Sequence, residues 1–154
     1  MKKLWRPGHS VTLSLVVTYL AGAGLLAAMV LMPRLFNVWY WQYNYGVMAG
    51  VSLMNLQYLF YICCPAGWAA IISLIKLLHN IRKGEVFTRQ NIKLLRLLSW
   101  CFVFTALASV YATYVYYPCA IVLVAAGFLA IILRVVKNVM EQATLMKEEQ
   151  ELTI

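Results

Sequence analysis

Long stretches without charged residues dominate the pattern of this chain. Residues 10–33, 35–75 and 97–133 contain no Asp, Glu, Lys or Arg. A membrane-spanning helix needs about 20 predominantly apolar residues, so each run is long enough for at least one crossing. The pattern therefore predicts an all-α integral membrane protein.

The first uncharged run predicts a transmembrane helix over residues 11–32. A basic start followed by an apolar run imitates a secretory signal peptide, but this run is longer than the apolar core of such a peptide. We therefore expect it to remain as the first helix. Pro33 and Arg34 are expected to end it, and an outer aromatic loop is predicted over residues 33–48.

The two later runs predict three further helices. The crossing in the second run is expected at residues 49–78. As one helix at 1.5 Å per residue, residues 97–133 would extend about 55 Å, well beyond a hydrocarbon core of roughly 30 Å. We therefore expect a turn at the tyrosines before Pro118, which divides the run into two helices. Tyr favours the membrane interface, and Pro favours the first turn of a helix. Helices over 93–116 and 118–146 follow.

Composition supports a single membrane domain over residues 1–154, built as a four-helix bundle. The chain is 64% hydrophobic and only 12% charged, and its mean hydropathy is +0.77. With four crossings, all thirteen Lys and Arg residues except Arg34 lie on one side. Because cytoplasmic segments of membrane proteins are enriched in Lys and Arg, both termini are predicted to be cytoplasmic, in a bacterial plasma membrane.

A basic stripe marks the cytosolic turn predicted at residues 79–92. Arg89, Lys93 and Arg96 recur at helical spacing and so share one face. These cations fit two interpretations: contact with the anionic headgroups of the lipid bilayer, or a docking face for a cytosolic protein. Helix-boundary chemistry assigns turn-shaping roles to four further residues: Gly84, Phe87, Thr88 and Asn91.

The C-terminal segment, residues 147–154, carries most of the acidic charge. Glu148, Glu149 and Glu151 lie there, and the chain holds only five acidic residues. We hypothesise that this acidic tail folds back onto the basic turn. Exposed ion pairs are weak, so such a contact would be open to competition by lipid or by a partner.

The predicted outer loop is rich in aromatic residues, including Trp39, Trp41 and Tyr43. Amphipathic rings at a membrane interface are typical of an aromatic belt. A receptor surface for an apolar peptide is the alternative interpretation.

The sequence offers little chemistry for catalysis, so an enzyme, a metal site and a cofactor are not expected. The chain has no Asp, and no Glu lies in an uncharged run. Ion-coupled transport usually needs carboxylates at membrane depth. Cys63, Cys64, Cys101 and Cys119 lack a metal-ligand spacing and are expected to be small buried hydrophobes. Direct nucleic-acid binding is not expected, because the cations lie where topology requires them.

Two cytoplasmic pieces resemble the domain of unknown function 2975 family, bacterial proteins with four predicted membrane helices. The first is a Gly-x-x-Phe-Thr-x-x-Asn turn followed by a Leu-Arg pair, and the second is an acidic stretch that ends in Leu-Thr-Ile. The matching positions are Gly84, Phe87, Thr88, Asn91, Leu95 and Arg96, and Glu149, Leu152, Thr153 and Ile154. The resemblance implies no established activity. Members of this family often look like genomic neighbours of small helix-turn-helix regulators, so the resemblance implies membrane-linked regulation by association.

These observations favour a non-enzymatic regulatory or interaction protein that engages a cytosolic partner through its basic turn and acidic tail. A helix-turn-helix regulator is the expected partner, and homo-oligomers are a further expectation. Two alternatives stay open: an immunity or envelope-stress protein that acts by helix packing in the membrane, and a small transporter or channel.

Overall fold

Four long helices account for almost all of the protein. The computed structural model describes residues 7–43 and 49–152, with the side chains of residues 11–35, 37, 38, 55–114 and 116–150. Within these ranges the chain contains no strand. The helices are α1 (Pro7–Tyr43), α2 (Ala49–Arg82), α3 (Arg89–Val115) and α4 (Ala120–Leu152), and a short 3-10 helix (Tyr117–Cys119) precedes α4.

Each helix is long and apolar enough to cross a membrane. The helix segments that contain a membrane-length apolar stretch are Val11–Leu35, Asn55–Arg82, Arg89–Tyr114 and Tyr117–Gln150. The prediction of an all-α protein with four membrane-length helices is therefore confirmed. The cytoplasmic location of the termini stays a prediction.

The helices pack in chain order. Within the described residues α1 contacts α2, α2 contacts α3, and α3 contacts α4, whereas α4 does not close onto α1. Many large apolar side chains are consequently exposed, including Leu13, Val30, Ile121 and Phe128. In water such a surface would aggregate, but in a bilayer the lipid chains cover it.

Small residues allow the neighbouring helices to approach closely. A Cβ placed on Gly67 of α2 would lie 3.3 Å from Leu25 of α1. On α4, Ala126 and Ala130 are buried, and Ser99 of α3 donates a hydrogen bond of 3.1 Å to the Ala130 carbonyl. The repeat of Ala126 and Ala130 thus serves the contact between α3 and α4.

The outer loop predicted for residues 33–48 is wrong up to Tyr43, because α1 continues through Pro33 and Arg34. Proline has no N–H and leaves the carbonyl four residues earlier, that of Met29, without its helical donor. Tyr61 of α2 supplies the missing donor, since its hydroxyl lies 3.0 Å from the Met29 carbonyl oxygen. A neighbouring helix therefore satisfies the backbone group that the proline frees.

The helix ends around the turn between α2 and α3, and the end of α4, also differ from the predicted bounds. α2 extends beyond residue 78 to Arg82 and α3 begins at Arg89, so the turn predicted at residues 79–92 shortens to 83–88. The segment predicted as a tail from residue 147 is helical as far as Leu152. Its Lys, Glu and Gln residues are good helix formers, and no Gly or Pro interrupts them.

The Tyr61 hydroxyl predicts a stability effect that depends on Pro33. Tyr61→Phe is expected to lower the free energy of unfolding by about 1 kcal/mol, because it removes the hydroxyl that donates to the Met29 carbonyl. Denaturation in mixed micelles measures this change. Tyr58→Phe is the matched control, since the Tyr58 side chain on the same helix is exposed.

A double-mutant cycle isolates the contribution of the proline. In a Pro33→Ala background the restored backbone N–H can bond to the Met29 carbonyl, so Tyr61→Phe should then cost much less. An equal cost in both backgrounds would show that the hydroxyl does not compensate for Pro33.

Candidate functional site

The turn between α2 and α3 is built from two helix caps. Gly84 has a φ of 85°, a conformation that glycine adopts without steric cost. Its N–H bonds to the Ile81 carbonyl at 3.0 Å, and the Glu85 N–H bonds to the Asn80 carbonyl at 3.0 Å. This pair of bonds is a Schellman motif, which satisfies carbonyls at the end of α2. Gly84 is therefore the left-handed residue that follows the end of α2.

Thr88 begins α3 as its N-cap. Its backbone is extended, with φ −129° and ψ 145°, and its side chain accepts a hydrogen bond from the Asn91 N–H. The distance is 3.4 Å. Such a bond satisfies one of the backbone N–H groups that have no partner within the first turn of a helix. Phe87, immediately before it, leaves 46% of its surface exposed.

Asn91 is the hub of the turn, and its side chain is fully buried. The side-chain amide donates to the carbonyls of Glu85 at 2.7 Å and Val86 at 2.9 Å. Its oxygen accepts a bond of 2.7 Å from the amide of Asn80, on the last turns of α2. Asn91 therefore ties α2, the turn and α3 into one unit.

The sequence placed Asn91 in the turn but missed this arrangement. At its position a capping box would direct the side chain to the N-cap N–H, whereas here the amide reaches the two preceding carbonyls. Asn80 was not singled out. The available signal was a second Asn at the end of the preceding helix, within reach once the turn is known to be short.

The basic stripe lies beside the end of α4. Arg89 donates two hydrogen bonds to the Glu148 carboxylate, from Nε to Oε1 at 3.0 Å and from Nη2 to Oε2 at 2.9 Å. The two side chains remain 74% and 40% exposed. Solvent screens such a pair, so its bidentate geometry fixes orientation more than it adds stability.

The acidic segment contacts the basic stripe at Arg89 without folding back. α4 stays helical beyond Glu148, and its antiparallel packing on α3 carries the carboxylate to Arg89. Glu149 is exposed on the same helix. The side chain of Glu151 lies outside the described residues, as do those of Trp39, Trp41 and Tyr43, which are placed on the last turns of α1.

An open groove of about 230 Å³ separates the start of α3 from the end of α4. We refer to it as the α3–α4 groove. Three of its lining residues form the predicted basic stripe, and the others are two glutamates, one threonine and two apolar residues. It is lined by Arg89, Ile92, Lys93, Arg96, Glu141, Thr144, Leu145 and Glu148.

The carboxylates of the groove are held ionised by neighbouring cations. The hydrogen bond with Arg89 and the charge of Arg89 lower the pKa of Glu148. The same hydrogen bond and the charge of Glu148 raise the pKa of Arg89. Lys137, whose Nζ lies 2.6 Å from Oε2 of Glu141, lowers the pKa of Glu141, and Arg96 adds a smaller effect. All of these groups lie beyond the uncharged run of residues 97–133, outside the membrane interior.

The arrangement is suited to binding charged groups. Within the described ranges no three His, Cys, Asp or Glu side chains lie close enough together to hold a metal ion. Cys63, Cys64, Cys101 and Cys119 are free thiols. The groove offers three cations together with two carboxylates and the apolar side chains of Ile92 and Leu145.

A known protein family matches the part of the chain that contains this site and most of the fold. The family model described as protein of unknown function (DUF2975) matches residues 41–154. The chain belongs to the DUF2975 family. In this DUF2975 protein the matched region contains α2, α3, α4 and the whole groove, while most of α1 precedes it. No curated protein and no solved structure matches the chain.

The ion pair predicts an acid-sensitive contact between α3 and α4. Because Arg89 lowers the native pKa of Glu148 below its ordinary value of 4.5, the pair contributes fully above that value. Its contribution is lost as the pH falls through the native pKa. Carbon-13 NMR of glutamate carboxylates should show Glu148 titrating below 4.5.

A pair of variants tests the cause of this shift. Arg89→Gln should return the Glu148 pKa toward its ordinary value, whereas Arg82→Gln, on the exposed end of α2, should leave it unchanged. A Glu148 titration that is the same in the wild type and in Arg89→Gln would contradict the pairing.

Proposed function

We propose that this protein is a non-enzymatic regulatory membrane protein that engages a cytosolic partner through the basic start of α3 and the acidic end of α4. The observation that supports this proposal is the bidentate contact between Arg89 and Glu148. It joins the two cytoplasmic pieces of the chain into one surface carrying both signs of charge. Charge complementarity of this kind promotes association and selects partners.

The rigid turn next to the ion pair favours a docking role. The buried amide of Asn91 fixes the backbone on which Phe87 stays exposed. A preorganised surface loses little conformational entropy on binding. Phe87 lies two residues before Arg89, and both residue types are enriched at protein interfaces.

A helix-turn-helix regulator is the partner that we propose. Two considerations support it. Members of the family often look like genomic neighbours of such regulators, and the turn is predicted to be cytoplasmic. The exposed apolar faces of α1 and α4 favour a second candidate function, in which the protein acts on another membrane protein by helix packing.

Photocrosslinking in cells tests the proposal. A photoreactive phenylalanine analogue at position 87 should capture a soluble protein. Neutralising the stripe with R89Q/K93Q/R96Q should reduce capture by roughly tenfold, if each rim cation contributes the usual fraction of a kcal/mol. Mass spectrometry identifies the captured protein, and quantitative blotting measures the yield.

The matched control removes three cations at the other end of the chain. K2Q/K3Q/R6Q changes the net charge equally and on the same predicted side of the membrane, so it should leave capture intact. Equal losses in the two triple variants would contradict a specific surface. Capture of a membrane protein that tolerates both changes would instead support the function based on helix packing.

A further inference from the structure

The part of the α3–α4 groove nearest to the membrane has unbalanced positive charge. Of its two carboxylates, Glu148 pairs with Arg89 and Glu141 pairs with Lys137. Lys93 is exposed and forms no salt bridge within the described part of the chain.

Arg96 is the second cation available there. It is also exposed, and it forms no salt bridge with a described residue, although its charge acts weakly on Glu141. The Thr144 hydroxyl is not available to donate to an anion, because it donates to the Met140 carbonyl at 2.8 Å. An anion between Lys93 and Arg96 would therefore meet two cations and no unpaired acid.

Along the membrane normal, Lys93 and Arg96 lie at the depth expected for lipid phosphates. Arg96 directly precedes the uncharged run of residues 97–133, which marks the hydrocarbon core. Lys93 lies three residues earlier on α3, about 4.5 Å farther from the core. Both side chains can therefore reach the headgroup region.

Apolar side chains continue from the groove toward the membrane core. Leu97 is 47% exposed and Trp100 is 58% exposed. Trp100 follows Arg96 by one helical turn and so lies on the same side of α3. Ile92 and Leu145 form the apolar part of the groove itself. Polar contacts above an apolar track match the two halves of a phospholipid.

We propose that the α3–α4 groove binds one anionic phospholipid, with Lys93 and Arg96 contacting the phosphate and the acyl chains lying along Leu97 and Trp100. The guanidinium offers a planar pair of donors and the ammonium a compact charge, a combination suited to phosphate oxygens. Binding of the lipid needs no cytosolic partner, although Lys93 and Arg96 also belong to the surface proposed for that partner. A zwitterionic lipid is a poorer ligand, because its own cation competes with the two side chains.

Native mass spectrometry of the purified full-length protein tests the site. Phosphatidylglycerol and phosphatidylcholine with identical acyl chains are added in equal amounts. The wild type should retain one phosphatidylglycerol in preference to phosphatidylcholine, and K93Q/R96Q should lower that preference by roughly tenfold. R82Q/K83Q is the matched control, because it removes two exposed cations at the end of α2, outside the groove.

Each outcome decides the proposal. Loss of the preference in K93Q/R96Q and its retention in R82Q/K83Q support the site, provided that circular dichroism shows equal helicity. Equal losses in both variants would overturn it in favour of diffuse surface charge. Release of the lipid by inorganic phosphate at unchanged ionic strength would identify a free-phosphate site and overturn the lipid assignment. Since no partner is present, these results do not depend on the cytosolic function.

Discussion

The buried amide of Asn91 determines the geometry of the turn between α2 and α3. Its side chain is fully enclosed and connects Asn80 on α2 with the carbonyls of Glu85 and Val86 in the turn. A buried amide that lost these partners would leave several polar groups unsatisfied, at about 1–3 kcal/mol each. The turn is therefore fixed, and so is the first turn of α3, which carries Arg89.

The bilayer explains why so open an arrangement of helices can be stable. The helices contact one another in chain order, and a surrounding bilayer would accommodate the apolar faces that remain exposed. α3 and α4 are consecutive helices that pack antiparallel, so the end of α4 lies beside the start of α3. The α3–α4 groove follows from this topology and needs no contribution from α1.

The sequence predicted the features that depend on local chemistry. Uncharged runs indicated four membrane-length helices, and Gly84 and Thr88 indicated the two caps of the turn. It failed at Pro33, where the local rule ends a helix but a distant side chain, Tyr61, supplies the missing hydrogen bond. No local pattern reveals a donor that lies on another helix.

The groove was predictable only in part. The helical spacing of Arg89, Lys93 and Arg96 indicated one face, and the acidic end of the chain indicated a counter-charge. Their contact depends on α4 remaining helical and on its register against α3, which sequence periodicity does not set. The bonds of Asn91 were missed for the same reason, because they depend on how closely α2 and α3 approach.

Hydrogen–deuterium exchange of the turn tests the central role of Asn91 most directly. In nanodiscs, peptides covering residues 83–91 should exchange roughly tenfold faster or more in Asn91→Ala than in the wild type, because the lost hydrogen bonds raise the population of open turns. Asn138→Ala, which changes an exposed Asn on α4, should leave this exchange unaltered. Equal protection of the turn in the wild type and in Asn91→Ala would contradict the account.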